Sequence, residues 1–409
     1  MKKLLFPILM LLFIQLFAQK QPDLSSSPPM GWNSWNYFGK NSIDEKLIRE
    51  VIDAMATQKL NELGYNYIVV DGGWRDSTLG PNGELLVNNK FPSGMKALAN
   101  YAHSKGFKFG LHTVPGSHDC GCDPVGGWGN EKVQVQQFVD WGLDFVKLDR
   151  CRFSLDPHPE GHPRKDPIWY SGWDKQGENI QKAYALWSKL LQEANRDMIL
   201  SASAYRYYDW YPTLTNMGRT TGDIATAQTS GASFDNGKKN SVMAISVLNN
   251  ESRLLAGNGY WNDPDMLVVG EKSLTNAEQR SHFALWCIMS SPLFLGNDPR
   301  NMTKEEIDII TNKTAIQINQ DDTEQGRRII MDDDTEVWLK RLKDGKYGAL
   351  LLNRDKKQSH MIKLTSLMLD GHRSFQVRDV YDGKKLEKMN DGYEQNIEPG
   401  SGLFLILEP

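Results

Sequence analysis

Carboxylates and a few cations recur just past the apolar runs of this chain, where buried strands would hand over to loops. Asp71 follows the run Tyr65–Val70, Lys147 and Asp149 close the run that begins at Asp144, and Arg219 and Asp223 lie in the segment Met217–Ile224. Asp263-Pro264-Asp265 forms a turn, while Trp35, His112 and Ser203 stand at the ends of three further runs. Convergent carboxylates suit the hydrolysis of a glycosidic bond. One attacks or stabilises the oxocarbenium-like carbon and the other gives a proton to the leaving oxygen. A single Asp in such a place serves equally well as a helix cap, but several on one rim exceed what capping needs. Lys147 and Asp149, two apart, share one face of a strand, so a positive charge sits beside the candidate nucleophile. Arg219 reaches the same region as Asp223 whether the segment between them is helical or turned. No Ser-His-Asp set and no Gly-rich phosphate loop is present.

The elements that must position these groups alternate along the chain. Apolar runs lie at Met30–Trp32, Tyr65–Val70, Phe107–Leu111, Asp144–Leu148, Met198–Ala202, Met217–Ile224, Met266–Val269 and Leu293–Leu295. Between them the spacing predicts helices over Asp44–Leu63, Gly94–Lys105, Glu131–Trp141, Glu178–Ala194, Ser241–Ala256, Asn276–Ser290 and Lys304–Gln317. Ser42-Ile43-Asp44-Glu45 and Thr303 with Glu305-Glu306 resemble capping boxes. Strand alternating with helix implies parallel strands, and eight of them in about 290 residues is the size of a (β/α)8 barrel. An open doubly wound sheet is the other arrangement of this kind, but it lacks its phosphate-loop signature here. After about residue 320 the texture becomes short β-rich runs with hairpin-type turns at Asp344-Gly345 and Asp382-Gly383, an antiparallel sandwich of about 85 residues. The expected division is a barrel over 27–320 and a sandwich over 321–409, packed directly because no low-complexity linker separates them.

The chain has 409 residues, 47 Lys+Arg against 51 Asp+Glu and a formal net charge of -4, which gives a polyanion such as nucleic acid no long-range attraction. A hydrophobic content of 40%, with 10% aromatic, is ample for a large core and a small one. Lys2 and Lys3 precede an apolar run from Leu4 to Phe17 that ends at Ala18-Gln19, the pattern of a cleaved signal peptide over 1–19 and hence of a periplasmic or secreted protein. Export permits disulfides among Cys120, Cys122, Cys151 and Cys287. His118, Cys120 and Cys122 crowd together, but their spacing fits no common zinc pattern. His158 and His162 lie in a Pro-rich stretch and make a weaker ligand pair still. The residues imply neither metal nor organic cofactor; the implied partner is a carbohydrate.

Several motifs in order carry a resemblance. Pro28-Pro29-Met30-Gly31-Trp32-Asn33-Ser34-Trp35, Phe91-Pro92-Ser93-Gly94-Met95-Lys96-Ala97-Leu98, Lys147-Leu148-Asp149-Arg150-Cys151, Arg219-Thr220-Thr221-Gly222-Asp223-Ile224 and Trp261-Asn262-Asp263-Pro264-Asp265-Met266-Leu267 resemble glycoside hydrolase family 27. This is the family of α-galactosidases and α-N-acetylgalactosaminidases. Val337-Trp338-Leu339-Lys340 and Leu352-Asn353-Arg354 are similar to its sandwich domain, so the resemblance runs from about residue 28 to the C-terminus. It implies a retaining mechanism on an α-glycosidic bond, with Asp149 as nucleophile and Asp223 as acid/base. It further implies that Trp35 is a sugar platform, that Lys147, Arg219 and Asp265 hydrogen-bond sugar hydroxyls, and that Cys120 pairs with Cys151. Cys122 and Cys287 match no such pair and are expected to be free.

Three departures from the family pattern bear on the sugar. Of two adjacent Asp that hold the 4- and 6-hydroxyls, only Asp71 remains, with Gly72 as its neighbour. Ser203 replaces a Glu, as in enzymes that admit a 2-acetamido group, yet Arg206 stands where those enzymes place a second small residue. His112 replaces a Tyr. The resemblance makes an α-D-galactoside the expected substrate, while these departures alter the residues that read the sugar. A β-L-arabinopyranoside, an α-N-acetylgalactosaminide and a binding protein without catalysis are the alternatives, and retention of both Asp149 and Asp223 argues against the last.

Overall fold

The computed structural model describes residues 22–121, 123–151 and 173–409. The expected signal peptide over 1–19, Cys122, His158 and His162 lie outside the described residues. The barrel strands run in chain order as β1 (Met30–Asn33), β2 (Tyr65–Val70), then, after a small hairpin of β3 (Arg75–Leu79) and β4 (Leu85–Val87), as β5 (Lys108–Thr113), β6 (Phe145–Asp149), β7 (Ile199–Ser203), β8 (Met217–Arg219), β9 (Trp261–Asp263) and β10 (Leu293–Leu295). Their order in the sheet is β10-β1-β2-β5-β6-β7-β8-β9, every pair parallel. A single parallel bridge between Leu267 and Leu295 closes the ring. The result is a (β/α)8 barrel.

The strands are buried on both faces, which is why they read as continuous apolar runs rather than as alternation. Inside, Tyr67, Val69, Phe145, Ile199, Met217, Met266 and Phe294 fill the lumen. Outside lie α1 (Trp35–Phe38), α2 (Glu45–Thr57), α3 (Gly94–Ser104), α4 (Glu131–Trp141), α5 (Trp173–Glu193), α6 (Tyr211–Leu214), α7 (Val242–Glu251), α8 (Asn276–Ile288), α9 (Lys304–Ile310) and α10 (Lys313–Gln320). The stripe Ile48, Val51, Ile52, Met55 of α2 shows the spacing that buries one helix face. No helix among the described residues is long and apolar enough to cross a membrane.

Three details correct the sequence reading. Met266–Val269 is not a strand. The seventh barrel strand is β9, and Asp265, at φ 116°, turns the chain so that only Leu267 bridges onward. The cap of α2 is Asp44, which accepts from Leu47 N, while the Glu45 carboxylate accepts instead from Ser93 N at 2.9 Å and from Arg49. The stretch from Lys304 to Gln317 is broken in two, because Asn312 caps α10 by accepting from Ala315 N. The Thr303–Glu306 box at α9 is present as expected.

The C-terminal sheet is antiparallel, built from β11 (Arg327–Ile330), β12 (Thr335–Arg341), β13 (Tyr347–Asn353), β14 (His360–Thr365), β15 (Ser374–Asp379), β16 (Met389–Asn390), β17 (Gly392–Ile397) and β18 (Gly402–Glu408). Alternate residues of β12 and β13 serve two cores. Val337, Leu339, Ala349 and Leu351 face the sandwich, whereas Trp338, Leu350 and Leu352 join the barrel cluster. The two domains therefore share buried surface.

Candidate active site

The loops at the C-terminal ends of the barrel strands converge on one pocket. Ser34 and Asn33, at the end of β1, hold Asp71: Ser34 Oγ accepts from Asp71 N at 2.9 Å and Asn33 Nδ2 donates to Asp71 Oδ2 at 2.9 Å. Lys147 Nζ donates to the same Oδ2 at 2.7 Å and lies 3.9 Å from Asp149 Oδ2. Burial alone would raise the pKa of Asp71 and lower that of Lys147, but each overrides the other's burial, so both are held firmly ionised. Burial leads the lowering at His112, which is neutral at pH 7; its Nε2 lies 3.8 Å from Asp149 Oδ2.

Asp149, at the end of β6, is gripped asymmetrically. Among the described residues its Oδ1 accepts from Cys151 N at 2.9 Å and from the Tyr205 hydroxyl at 2.7 Å, while Oδ2 accepts only the longer Ser203 hydroxyl bond at 3.2 Å. Oδ2 is thus the freer oxygen. Across the pocket Arg219 Nη2 contacts Asp223 Oδ1 at 3.1 Å and Asp265 Oδ2 at 3.1 Å. Asp265 also accepts from Ile224 N and Met266 N, which ties the loop carrying Asp223 to the turn after β9. Burial pushes the Asp265 carboxyl up to about 6, with Arg219 opposing and Asp223 and Asp263 adding to it. The Asp223 side chain is 60% exposed at the mouth of the pocket.

Trp35, Asp71, His112, Lys147, Asp149, Arg219, Asp223 and Asp265 all line this pocket, with the Trp35 ring partly exposed. Ser203 does not: its hydroxyl is spent on Asp149. Arg206 is exposed and stacks over Tyr208, away from the lining. Cys120 and Cys151 are joined as a disulfide beside Asp149, so neither sulfur is a metal ligand, and Cys287 is free and buried. Arg75 and Tyr205 are among the lining residues that escaped the sequence reading. The Arg75 side chain is buried and donates to Thr113 Oγ1, and Tyr205 sits at φ 61°, the left-handed backbone that tends to mark functional positions. Tyr205's signal, two residues past a strand end, was masked by the aromatic stretch Tyr205–Tyr211.

Over residues 27–167 and 164–321 the chain matches the family profile described as alpha galactosidase A, and over 332–407 the one described as the alpha galactosidase C-terminal beta sandwich domain. The chain belongs to glycoside hydrolase family 27. This glycosidase is 37% identical over 352 residues to alpha-galactosidase A of Cellvibrio japonicus, covering 84% of this chain and 80% of that one. It is 35% identical over 392 residues to the alpha-galactosidase of Cyamopsis tetragonoloba, covering 94% and 87%. Among solved structures, alpha-galactosidase I of Mortierella vinacea superposes with a TM-score of 0.82 at 28% identity, over 95% of this chain and 98% of that one.

Proposed function

We propose that this family 27 hydrolase is an exported α-galactosidase that acts with retention of configuration. The asymmetric hold on Asp149 carries the reading. Two donors pin Oδ1, and Oδ2 is left towards the sugar. In the first step Oδ2 attacks the anomeric carbon while Asp223 protonates the glycosidic oxygen, and the leaving group departs from a covalent glycosyl-enzyme. In the second, Asp223 takes a proton from water, which displaces Asp149 from the opposite side; two inversions give net retention. Trp35 offers its ring to the sugar face, and the ionised Lys147–Asp71 pair offers a donor and an acceptor for ring hydroxyls. The names of the relatives support galactose as the sugar, and the Cys120–Cys151 disulfide supports an oxidising compartment.

The test is proton NMR of an α-D-galactoside digest. The first product observed should be α-galactose, mutarotating later to the β form. Initial β-galactose would refute retention, and no release of galactose would refute the substrate.

A further inference from the structure

Arg75 opens the β3–β4 hairpin that follows Asp71, and it lines the catalytic pocket although no step of the reaction above uses it. The backbone that presents it is pinned. Asn88 Nδ2 donates to Gly73 O at 2.9 Å and to Arg75 O at 3.0 Å, and Trp74 Nε1 donates to His112 O at 3.1 Å. A guanidinium carries five N–H donors, and a buried one is normally paired with carboxylates. The Arg75 side chain is 4% exposed, yet among the described residues it donates one hydrogen bond, from Nη1 to Thr113 Oγ1 at 3.3 Å. Asp119 Oδ2 lies 3.7 Å from Nη2, too far for a hydrogen bond. Nε and Nη2 are not sealed from the pocket, as the unpaired Nε of Arg219 is. Arg75 thus keeps unused donors towards the space it lines.

The wall around it is open and positively charged. A Cβ at Gly72 would meet only the Trp35 ring, at 3.5 Å, so there is room over Gly72. Gly73, at φ 109°, lets the chain pass so close to Lys40 O that a Cβ would lie 2.2 Å from it. Lys40 lines the pocket too, exposed and without an ion pair among the described residues, and Lys90 Nζ donates to its carbonyl at 2.8 Å. The carboxylates opposite are committed, Asp71 to Lys147 and Asp223 and Asp265 to Arg219. Lys147 stands between Asp149 and Asp71, so the Asp71 side receives the end of the sugar remote from the cleaved bond. In a galactoside that end carries C6, the one carbon outside the ring. Burial disfavours the Arg75 charge, and Asp71 restores it more than Asp149 does, as suits a group on that side. An open space flanked by cations with donors to spare fits an anion, and a guanidinium fork matches the oxygens of a carboxylate or sulfate.

We propose that this pocket selects galacto-configured α-glycosides whose C6 bears an oxyanion, either a carboxylate or a sulfate ester, with Arg75 as the residue that binds it. The inference rests on the glycosidase roles of Asp149 and Asp223 given above. The test offers 4-nitrophenyl α-D-galactopyranoside, its 6-sulfate and 4-nitrophenyl α-D-galactopyranosiduronic acid to the parent, Arg75→Met and Gly72→Asp. At least one anionic glycoside should exceed the plain one in kcat/KM in the parent, and the faster of the two names the anion. That ratio should fall by about tenfold or more in Arg75→Met, chiefly through KM, as for one lost hydrogen bond to a charged group. Gly72→Asp puts a negative charge beside the same space and should lower the ratio as far, which keeps the test valid should Arg75→Met fail to fold. Two anionic glycosides slower than the plain one in the parent, or a ratio unchanged in either folded variant, overturn the proposal. Activity confined to the anionic glycosides would refute plain galactosides as the substrate but not this inference. A parent inactive on all three would refute the roles of Asp149 and Asp223. Galacturonic acid or galactose 6-sulfate should then still bind the parent more tightly than galactose by calorimetry and lose that margin in Gly72→Asp; equal binding in either comparison overturns the proposal.

Discussion

Tyr205→Phe separates the two halves of the reaction. The phenol donates to Asp149 Oδ1 at 2.7 Å, while its ring lies 5.9 Å from the Arg219 guanidinium, so phenylalanine keeps the packing and removes one hydrogen bond. Cys151 N still holds Oδ1 at 2.9 Å, so the carboxylate stays in place. A hydrogen bond to a charged group contributes about 1.5–3 kcal/mol, which converts to roughly 10- to 150-fold in rate. The sign depends on the step. As Oδ2 attacks the sugar, the carboxylate loses charge and the Tyr205 bond weakens, so its absence costs little. As the glycosyl-enzyme breaks, the carboxylate regains charge and the bond strengthens, so its absence slows that step by the full factor. With an activated aryl galactoside, kcat should therefore fall roughly 10- to 150-fold, KM should fall with it, and kcat/KM should change by less than about tenfold. Intact mass spectrometry during turnover should find the galactosyl-enzyme accumulating. Equal losses in kcat and kcat/KM without accumulation would refute the reasoning.

Gly72 has ordinary backbone, and a Cβ there would meet only the Trp35 ring at 3.5 Å, so Gly72→Asp should fold. The parent should process an analogue altered at C2 or C6 within about a hundredfold of the galactoside, roughly the 3 kcal/mol of one charged hydrogen bond, and Gly72→Asp should widen that gap at C6; an unchanged ratio of the two kcat/KM values would count against an open pocket. Asp265, raised to about 6 chiefly by burial, gives stability that is complete below about pH 4 and lost as pH rises through 6; activity should move oppositely, falling below pH 6 as the protonated acid ceases to balance Arg219. Melting temperatures across pH 4–7 check this, with the slope flattened in Asp265→Asn. Breaking the disulfide by Cys120→Ser releases a loop spanning 31 residues and should cost about 3–4 kcal/mol in urea unfolding, reproduced in the parent by reductant.

Much of the barrel was legible because parallel strands covered on both faces must be continuously apolar, and their polar ends then mark the rim. The i, i+2 rule placed Lys147 beside Asp149, and both face the pocket. What escaped was set by turns and by tertiary pairing. β9 is only three residues long and reads Trp-Asn-Asp, whereas the Met266–Val269 that follows is wholly apolar, so composition favoured the wrong segment. β17 reads Gly-Tyr-Glu-Gln-Asn-Ile, too polar to announce itself without its partner β14. Ser203 pointed in sequence to room around the sugar, yet its hydroxyl is turned to Asp149. Tyr205 reaches the site only because its backbone adopts φ 61°, which no spacing rule foresees.

Retention through Asp149 is the central claim, and trapping the covalent intermediate tests it most directly. The protein is incubated with 2-deoxy-2-fluoro-α-D-galactosyl fluoride, digested and sequenced by mass spectrometry. The account predicts a single fluorosugar on the peptide Phe145–Arg150, attached to Asp149, and no label in Asp149→Ala. A label on Asp71, Asp223 or Asp265, or an unlabelled enzyme whose first product from an α-galactoside is β-galactose, would contradict it.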